Sequence, residues 1–195
     1  KDLIEAPKFG NDNEFADKWC RYAHNLYNTS ILKRRNLRGG VLQPGGVSMS
    51  VFVPHGAVCG ALPSGRKAGE ALANGVGAAL GCEFNGLMAN FNSMGRINFF
   101  GNYDTIWNVR IEGGACDTVE GRKEFANLVR VFVDKKIAQM QVNCLSSEIM
   151  RKAQQDPEKY RDLIVRVVGY SANFVTLPDT VQELVIQREE HPINS

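Results

Sequence analysis

The second half of this 195-residue sequence predicts an α/β fold, and three features carry that prediction. Short runs at 106–112, 139–144 and 164–168 have the alternation or the β-branched content of strands. Segments with apolar residues at helical spacing lie between and after those runs. Helix-opening residues precede the segments: Asp117 or Thr118, then Ser146, then Pro178-Asp179. Strands alternating with helices are the pattern of an α/β protein.

Taken in order, Ala6 to Asn13 reads as a loop ending in helix-cap residues. A helix is expected over 14–35, with Phe15, Trp19, Tyr22, Ala23, Leu26 and Tyr27 at helical spacing. Arg38-Gly39-Gly40 and Pro44-Gly45-Gly46 break it. Val47, Met49, Val51 and Val53 alternate and predict a strand. The glycine-rich stretch 54–100 predicts no strong element, a length of irregular chain expected only around a functional core. A strand at 106–112, a helix over 119–135 and a strand at 139–144 follow. Ser146 opens a helix carrying Ile149, Met150 and Ala153, and Asp156-Pro157-Glu158 opens a second through Leu163. The strand 164–168 stops at Gly169, and a last helix runs to about Arg188.

Composition excludes more than it selects. A hydrophobic share of 44% and a charged share of 23% are those of a globular protein, and a net charge of +2 favours neither nucleic acid nor a membrane surface. The basic cluster Lys33, Arg34, Arg35 and Arg38 falls at a predicted helix end, where it complements the dipole. Cys20, Cys59, Cys82, Cys116 and Cys144 are odd in number and widely spaced, which predicts neither a disulfide framework nor a zinc site. Each is expected as a small buried hydrophobe, in a reducing cytoplasm. The sequence shows no spanning helix and no signal peptide, and it opens on Lys1 rather than Met, so a fragment or processed product is one expected status.

The segment that points to chemistry is Val165-Arg166-Val167-Val168-Gly169-Tyr170-Ser171-Ala172-Asn173-Phe174. One reading is a strand ending in a turn whose glycine supplies a positive φ. The other is a backbone radical at Gly169. A Cα radical is stabilised by donation from the amide nitrogen and withdrawal by the carbonyl, and it must become planar, which glycine does without a Cβ in the way. The absent side chain also admits another protein's reactive group. Arg166, Val168, Tyr170, Ser171 and Phe174 are the expected supports of this loop, with Tyr170, Phe174 and the preceding strand shielding it from water.

These segments, taken in sequence, resemble the glycyl radical enzymes related to pyruvate formate-lyase. The matching stretches are Ala6 to Asp12, Gly60-Ala61-Leu62-Pro63-Ser64-Gly65-Arg66-Lys67-Ala68-Gly69-Glu70, Asn92-Ser93, Gln141-Val142-Asn143 and the Gly169 loop, so the resemblance covers nearly the whole chain. That group includes diol dehydratases, choline and isethionate lyases, arylacetate decarboxylases and succinate synthases. The chain departs from the family at Val168, where Ser, Cys or Ala is usual. It also has Ser64 and Asn74 where Asp is usual, and Glu189-Glu190-His191 after Arg188 where Thr-Glu is usual.

The resemblance implies the C-terminal part of a ten-stranded α/β barrel, with 1–138 as a barrel section and 139–195 as a glycine radical domain. It implies an oxygen-sensitive anaerobic enzyme whose Gly169 radical is installed by an activating enzyme using S-adenosylmethionine and an iron–sulfur cluster. The stored radical passes to a cysteine thiyl, which cleaves or forms a C–C or C–X bond in a small organic substrate. The thiyl cysteine falls upstream of the matched region, so an upstream barrel portion or separate catalytic subunit is an implied partner, as is a homodimer. No bound cofactor or metal is expected in the chain. Residues near Val47 to Val53 are expected in the apolar wall of the substrate pocket. Three alternatives stay open: an inert scaffold or binding subunit, a spare-part radical subunit that repairs a damaged lyase, and an anaerobic ribonucleotide reductase, which the lack of C-x-x-C opposes.

Other signals read as structural. Gly60 to Lys67 lacks the Gly-Lys-Ser/Thr of a phosphate loop and predicts a turn held by Arg66. His24, His55 and His191 have no carboxylate or cysteine cluster beside them in the sequence. Phe99, Phe100 and Trp107 are expected in the core, without the basic groove of a base-stacking platform.

Overall fold

A computed structural model describes residues 2–48, 50–188 and 190–192. Its helices are α1 (Asp2–Glu5), α2 (Glu14–Leu32), α3 (Phe52–Val58), α4 (Gly86–Gly95), α5 (Val119–Asp134), α6 (Ser147–Gln155) and α7 (Asp179–Ile186). The strands are β1 (Gly45–Gly46), β2 (Asp104–Thr105), β3 (Asn108–Ile111), β4 (Gln141–Cys144), β5 (Ile164–Arg166), β6 (Ser171–Asn173) and β7 (Glu190–His191). β3 is central in a parallel sheet of order β4-β3-β7, with Asn108 opposite Gln141 and Arg110 opposite both Asn143 and Glu190. β1 pairs with β2 in parallel, while β5 and β6 form an antiparallel hairpin.

Local chemistry accounts for the helix starts. Asn13 Oδ1 accepts the Phe15 and Ala16 amides at 3.1 and 3.3 Å, Thr118 Oγ1 accepts that of Gly121 at 2.9 Å, and Ser146 Oγ that of Ile149 at 3.3 Å. Arg35 closes the other end of α2 by donating to the Leu32 and Arg34 carbonyls. Two apolar clusters form the core. One gathers Leu87, Phe91 and Met94 of α4 with Trp107, Val109, Ile111 and Leu128; Phe91 meets Trp107 edge-on at 5.0 Å. The other gathers Phe52, Ile106, Met150, Val165, Val167, Val168, Phe174, Leu184 and Val185, and it lies under the β5–β6 hairpin.

Several expectations are corrected. The strand at 47–53 is absent: β1 ends at Gly46, and a helix starts at Phe52, while Met49 lies outside the described residues. In α3, Phe52 and Gly56 are the buried positions, four residues apart, and Pro54 falls in the first turn, where its missing N–H costs nothing. A Cβ at Gly56 would stand 2.3 Å from the Glu70 carbonyl oxygen, so the helix needs a glycine to approach that strand of chain. The stretch 54–100 is less irregular than expected, because α4 buries Leu87, Phe91 and Met94 at helical spacing despite two glycines. No helix spans 156–163; two successive turns, Tyr160 to Pro157 and Leu163 to Tyr160, replace it. Phe100 is 86% exposed, whereas Phe99 and Trp107 are buried.

The amphipathic face of α2 points outward. Phe15, Trp19, Tyr22, Leu26 and Tyr27 are each more than half exposed. Its opposite side is anchored by Asp17, which is buried and bound by Arg96 and by Ser93 Oγ.

Candidate active site

The β5–β6 hairpin sets Arg166 opposite Ser171, and the Val167 amide donates to the Tyr170 carbonyl at 2.9 Å. Val168 and Gly169 are therefore the two central residues of the turn. Gly169 has φ +77°, the sign that a type II turn requires at its second central position. The conformation alone thus accounts for a glycine, and φ does not by itself distinguish a radical site. At that angle the preceding amide plane is far from coplanar with the three bonds that a radical Cα would hold. Nitrogen donation into the radical needs rotation about the N–Cα bond, which glycine makes with the least steric cost.

The supporting residues divide sharply. Val167, Val168 and Phe174 are fully buried at 0%, and Val165 is buried beside them. Gly169 and Ser171 are exposed, and Tyr170 is 39% exposed. Phe174 packs beneath the hairpin, and Tyr170 stands out from it in this chain. A Cβ on Gly169 would meet Ile106 Cδ1 at 3.3 Å and, among the described residues, no other atom within 4 Å. The tip is open while its root is sealed.

Polar side chains from other elements hold that root. Gln141 Oε1 accepts from the Gly169 amide and from Arg166 Nε, each at 3.0 Å. Asn143 Oδ1 accepts the Arg166 amide at 2.7 Å, and Asn143 Nδ2 donates to the Arg166 carbonyl at 2.9 Å. Arg166 also reaches Ser171 Oγ across the hairpin at 3.3 Å. From beyond α7, Arg188 donates to the Arg166 and Val167 carbonyls. Burial, reinforced by the nearby Arg110 cation, lowers the Arg188 pKa to about 10. Arg110 in turn donates to the Ile186 carbonyl at 3.0 Å and pairs with Glu190 at 3.5 Å.

Sequence reasoning assigned no partner to Gln141, Asn143, Arg188 or Ile106. A usable signal was present in Gln141-Val142-Asn143, where two carboxamides alternate onto one face of a strand. Both are buried, and a buried carboxamide requires partners.

The remaining candidates sort as follows. All five cysteines are free and half-buried, and burial pushes the Cys20 and Cys144 thiols up to about 11. Arg66 does hold the 60–67 turn, donating to the Gly60 and Glu70 carbonyls. His191 has a carboxylate partner after all: Glu83 stands 3.2 Å away, 108 positions distant in sequence. Val47 and Val51 are exposed. Among the described residues no three side chains cluster as metal ligands, and no helix is long and apolar enough to cross a membrane.

Residues 72–175 match the family described as Glycine radical, and residues 1–56 match Pyruvate formate lyase-like. Gly169 lies inside the first match. The isethionate sulfite-lyase of Nitratidesulfovibrio vulgaris is 34% identical, over 98% of this chain and 23% of that protein. The B12-independent glycerol dehydratase from Clostridium butyricum, solved with glycerol bound, superposes with a TM-score of 0.92 at 39% identity, covering 97% of this chain and 24% of its own. A structure of 1,2-propanediol dehydration in Roseburia inulinivorans gives 0.92 at 36% identity, covering 97% and 23%. The chain therefore spans about a quarter of the length of these relatives.

Proposed function

The chain belongs to the glycyl radical enzyme family, and from that premise we propose that it stores an organic radical on Gly169 for use by a larger catalytic assembly. The observation that carries this reading is the geometry of the hairpin. Among the described residues Gly169 is exposed at the tip, on a face left for the rest of the assembly to meet, while Val167, Val168 and Phe174 anchor it in the core.

Storage begins with homolysis of one Gly169 Cα–H bond. The hydrogen atom passes to the alkyl radical that a partner activating enzyme makes by reductive cleavage of S-adenosylmethionine at its iron–sulfur cluster. In the assembled enzyme the Gly169 radical then takes the hydrogen atom of a cysteine thiol, leaving a thiyl that acts on the substrate. The reverse transfer restores the glycyl radical. Relatives named as lyases, dehydratases and decarboxylases support cleavage of a C–C or C–X bond in a small organic molecule. The reading places this chemistry in the cytoplasm of an anaerobic or facultative cell. On this reading residues 1–138 contribute a barrel section, 139–195 form the radical domain, and a homodimer is the working unit. The outward aromatic face of α2 supports an upstream portion or subunit that covers it.

A second reading, an inert scaffold, is favoured by Val168. Its fully buried side chain ties down a turn at which the family carries a smaller residue. The match of 1–56 to the lyase family, outside the radical region, opposes a stand-alone repair module.

Anoxic activation of the intact protein, followed by electron paramagnetic resonance, tests the proposal. The native protein is expected to give a doublet that Gly169→Ala lacks, and air is expected to cut the backbone at that position. A silent native protein leaves the scaffold as the better account.

A further inference from the structure

We propose that Gln141 is a positioning residue for the radical: its carboxamide oxygen seats Gly169 for hydrogen-atom exchange with the thiol. The inference rests on Gly169 as the radical site and names what places it. Gln141 is 7% exposed, and its backbone is fixed in the parallel sheet by donation to the Trp107 carbonyl at 2.8 Å. From that rigid strand Oε1 receives two donors at 3.0 Å, the Gly169 amide and Arg166 Nε. Arg166 is itself gripped by Asn143 and bonded to Ser171 across the turn. The carboxamide therefore joins the tip of the hairpin to the sheet at the amide of the radical residue.

Hydrogen-atom transfer breaks one S–H bond as one C–H bond forms, with no other reactant, so its rate depends on the approach of two atoms. Rotation about the Gly169 N–Cα bond, which radical delocalisation requires, moves Cα substituents while the amide stays on Gln141. The seat can thus persist as the radical forms. Of its two bonds the one from Gly169 is neutral and the one from Arg166 is charge-assisted, but Arg166 keeps its Asn143 and Ser171 partners and the Val165, Val167 and Val168 packing stays in place, so Gln141 governs position more than folding.

The test uses the intact, anoxically activated protein, with Gln141→Leu, which removes the acceptor, and Gln141→Glu, which keeps it. Radical yield is counted by electron paramagnetic resonance, and turnover is expressed per spin. Gln141→Leu is expected to fold with a small fall in melting temperature and to keep a measurable radical yield while turnover per spin falls on the order of tenfold. Gln141→Glu is expected to restore most of that loss. Native turnover per spin in Gln141→Leu overturns the positioning role, as does a loss of spins and melting temperature together with turnover per spin unchanged. A native protein that never yields a doublet overturns the parent reading instead, so the two failures are separable.

Discussion

Asn143 pairs with the backbone of Arg166 at both of its groups, accepting the amide at 2.7 Å and donating to the carbonyl at 2.9 Å. A side chain on β4 thereby does for β5 what a neighbouring strand would do, and joins the β5–β6 hairpin to the parallel sheet without extending it.

Asn143→Ala removes both bonds and leaves the part-buried Arg166 amide without its acceptor, while the carbonyl keeps its bond from Arg188. A local loss of about 2 kcal/mol is expected. Hydrogen exchange at the Arg166 amide is expected to accelerate on the order of 30-fold, while exchange within α5 stays unchanged. Equal acceleration in both places contradicts a local role.

Val168→Ala removes two methyl groups from a fully buried site in the cluster beneath the hairpin. The turn is expected to lose about 2 kcal/mol, and exchange at residues 167–170 to rise accordingly. If Val168 restrains the loop, radical formation by the activating enzyme becomes faster in this variant. An unchanged formation rate removes the main support for the inert-scaffold reading.

Arg96→Leu leaves the buried Asp17 carboxylate bonded to Ser93 Oγ without its cation and also breaks the 2.6 Å pair with Asp12. An uncompensated buried charge of this kind costs about 3 kcal/mol or more. Denaturant unfolding is expected to show that loss, and Asp17→Asn combined with Arg96→Leu is expected to recover part of it.

His24 lies against Phe99 at 5.4 Å and bonds Asn28 at 2.9 Å. Burial lowers its pKa below 6.5, opposed by a hydrogen bond that the ring donates to the Asn98 backbone. The unfolded chain therefore takes up the proton first as pH falls. Stability is full above 6.5 and declines as pH drops through the lower folded value. Denaturation midpoints measured at about pH 8 and about pH 5 are expected to show this decline, and His24→Gln to reduce it.

Much of the fold was legible because local chemistry and burial agreed. Thr118 and Ser146 cap the helices they were expected to cap, and β3, β4 and β5 lie within their predicted runs. The strand expected at 47–53 failed because alternating Val and Ser is compatible with either period over so short a run. Packing of Phe52 into the core and of Gly56 against residues 70–71 decided for a helix. α4 escaped notice because Gly86, Gly95 and several asparagines weaken its propensity, and tertiary burial of Phe91 and Met94 overrides that weakness.

The sequence by itself determined the α/β class and the family likeness and singled out Gly169 as the candidate, because each rests on residue types in order along the chain. Only the tertiary structure decided what holds that glycine. Gln141, Asn143 and Arg188 converge on the hairpin from 21 to 28 positions away, and Ile106 comes from farther still. No local pattern encodes such meetings, since they arise when separate elements bury their apolar faces and their polar groups must find partners in what remains.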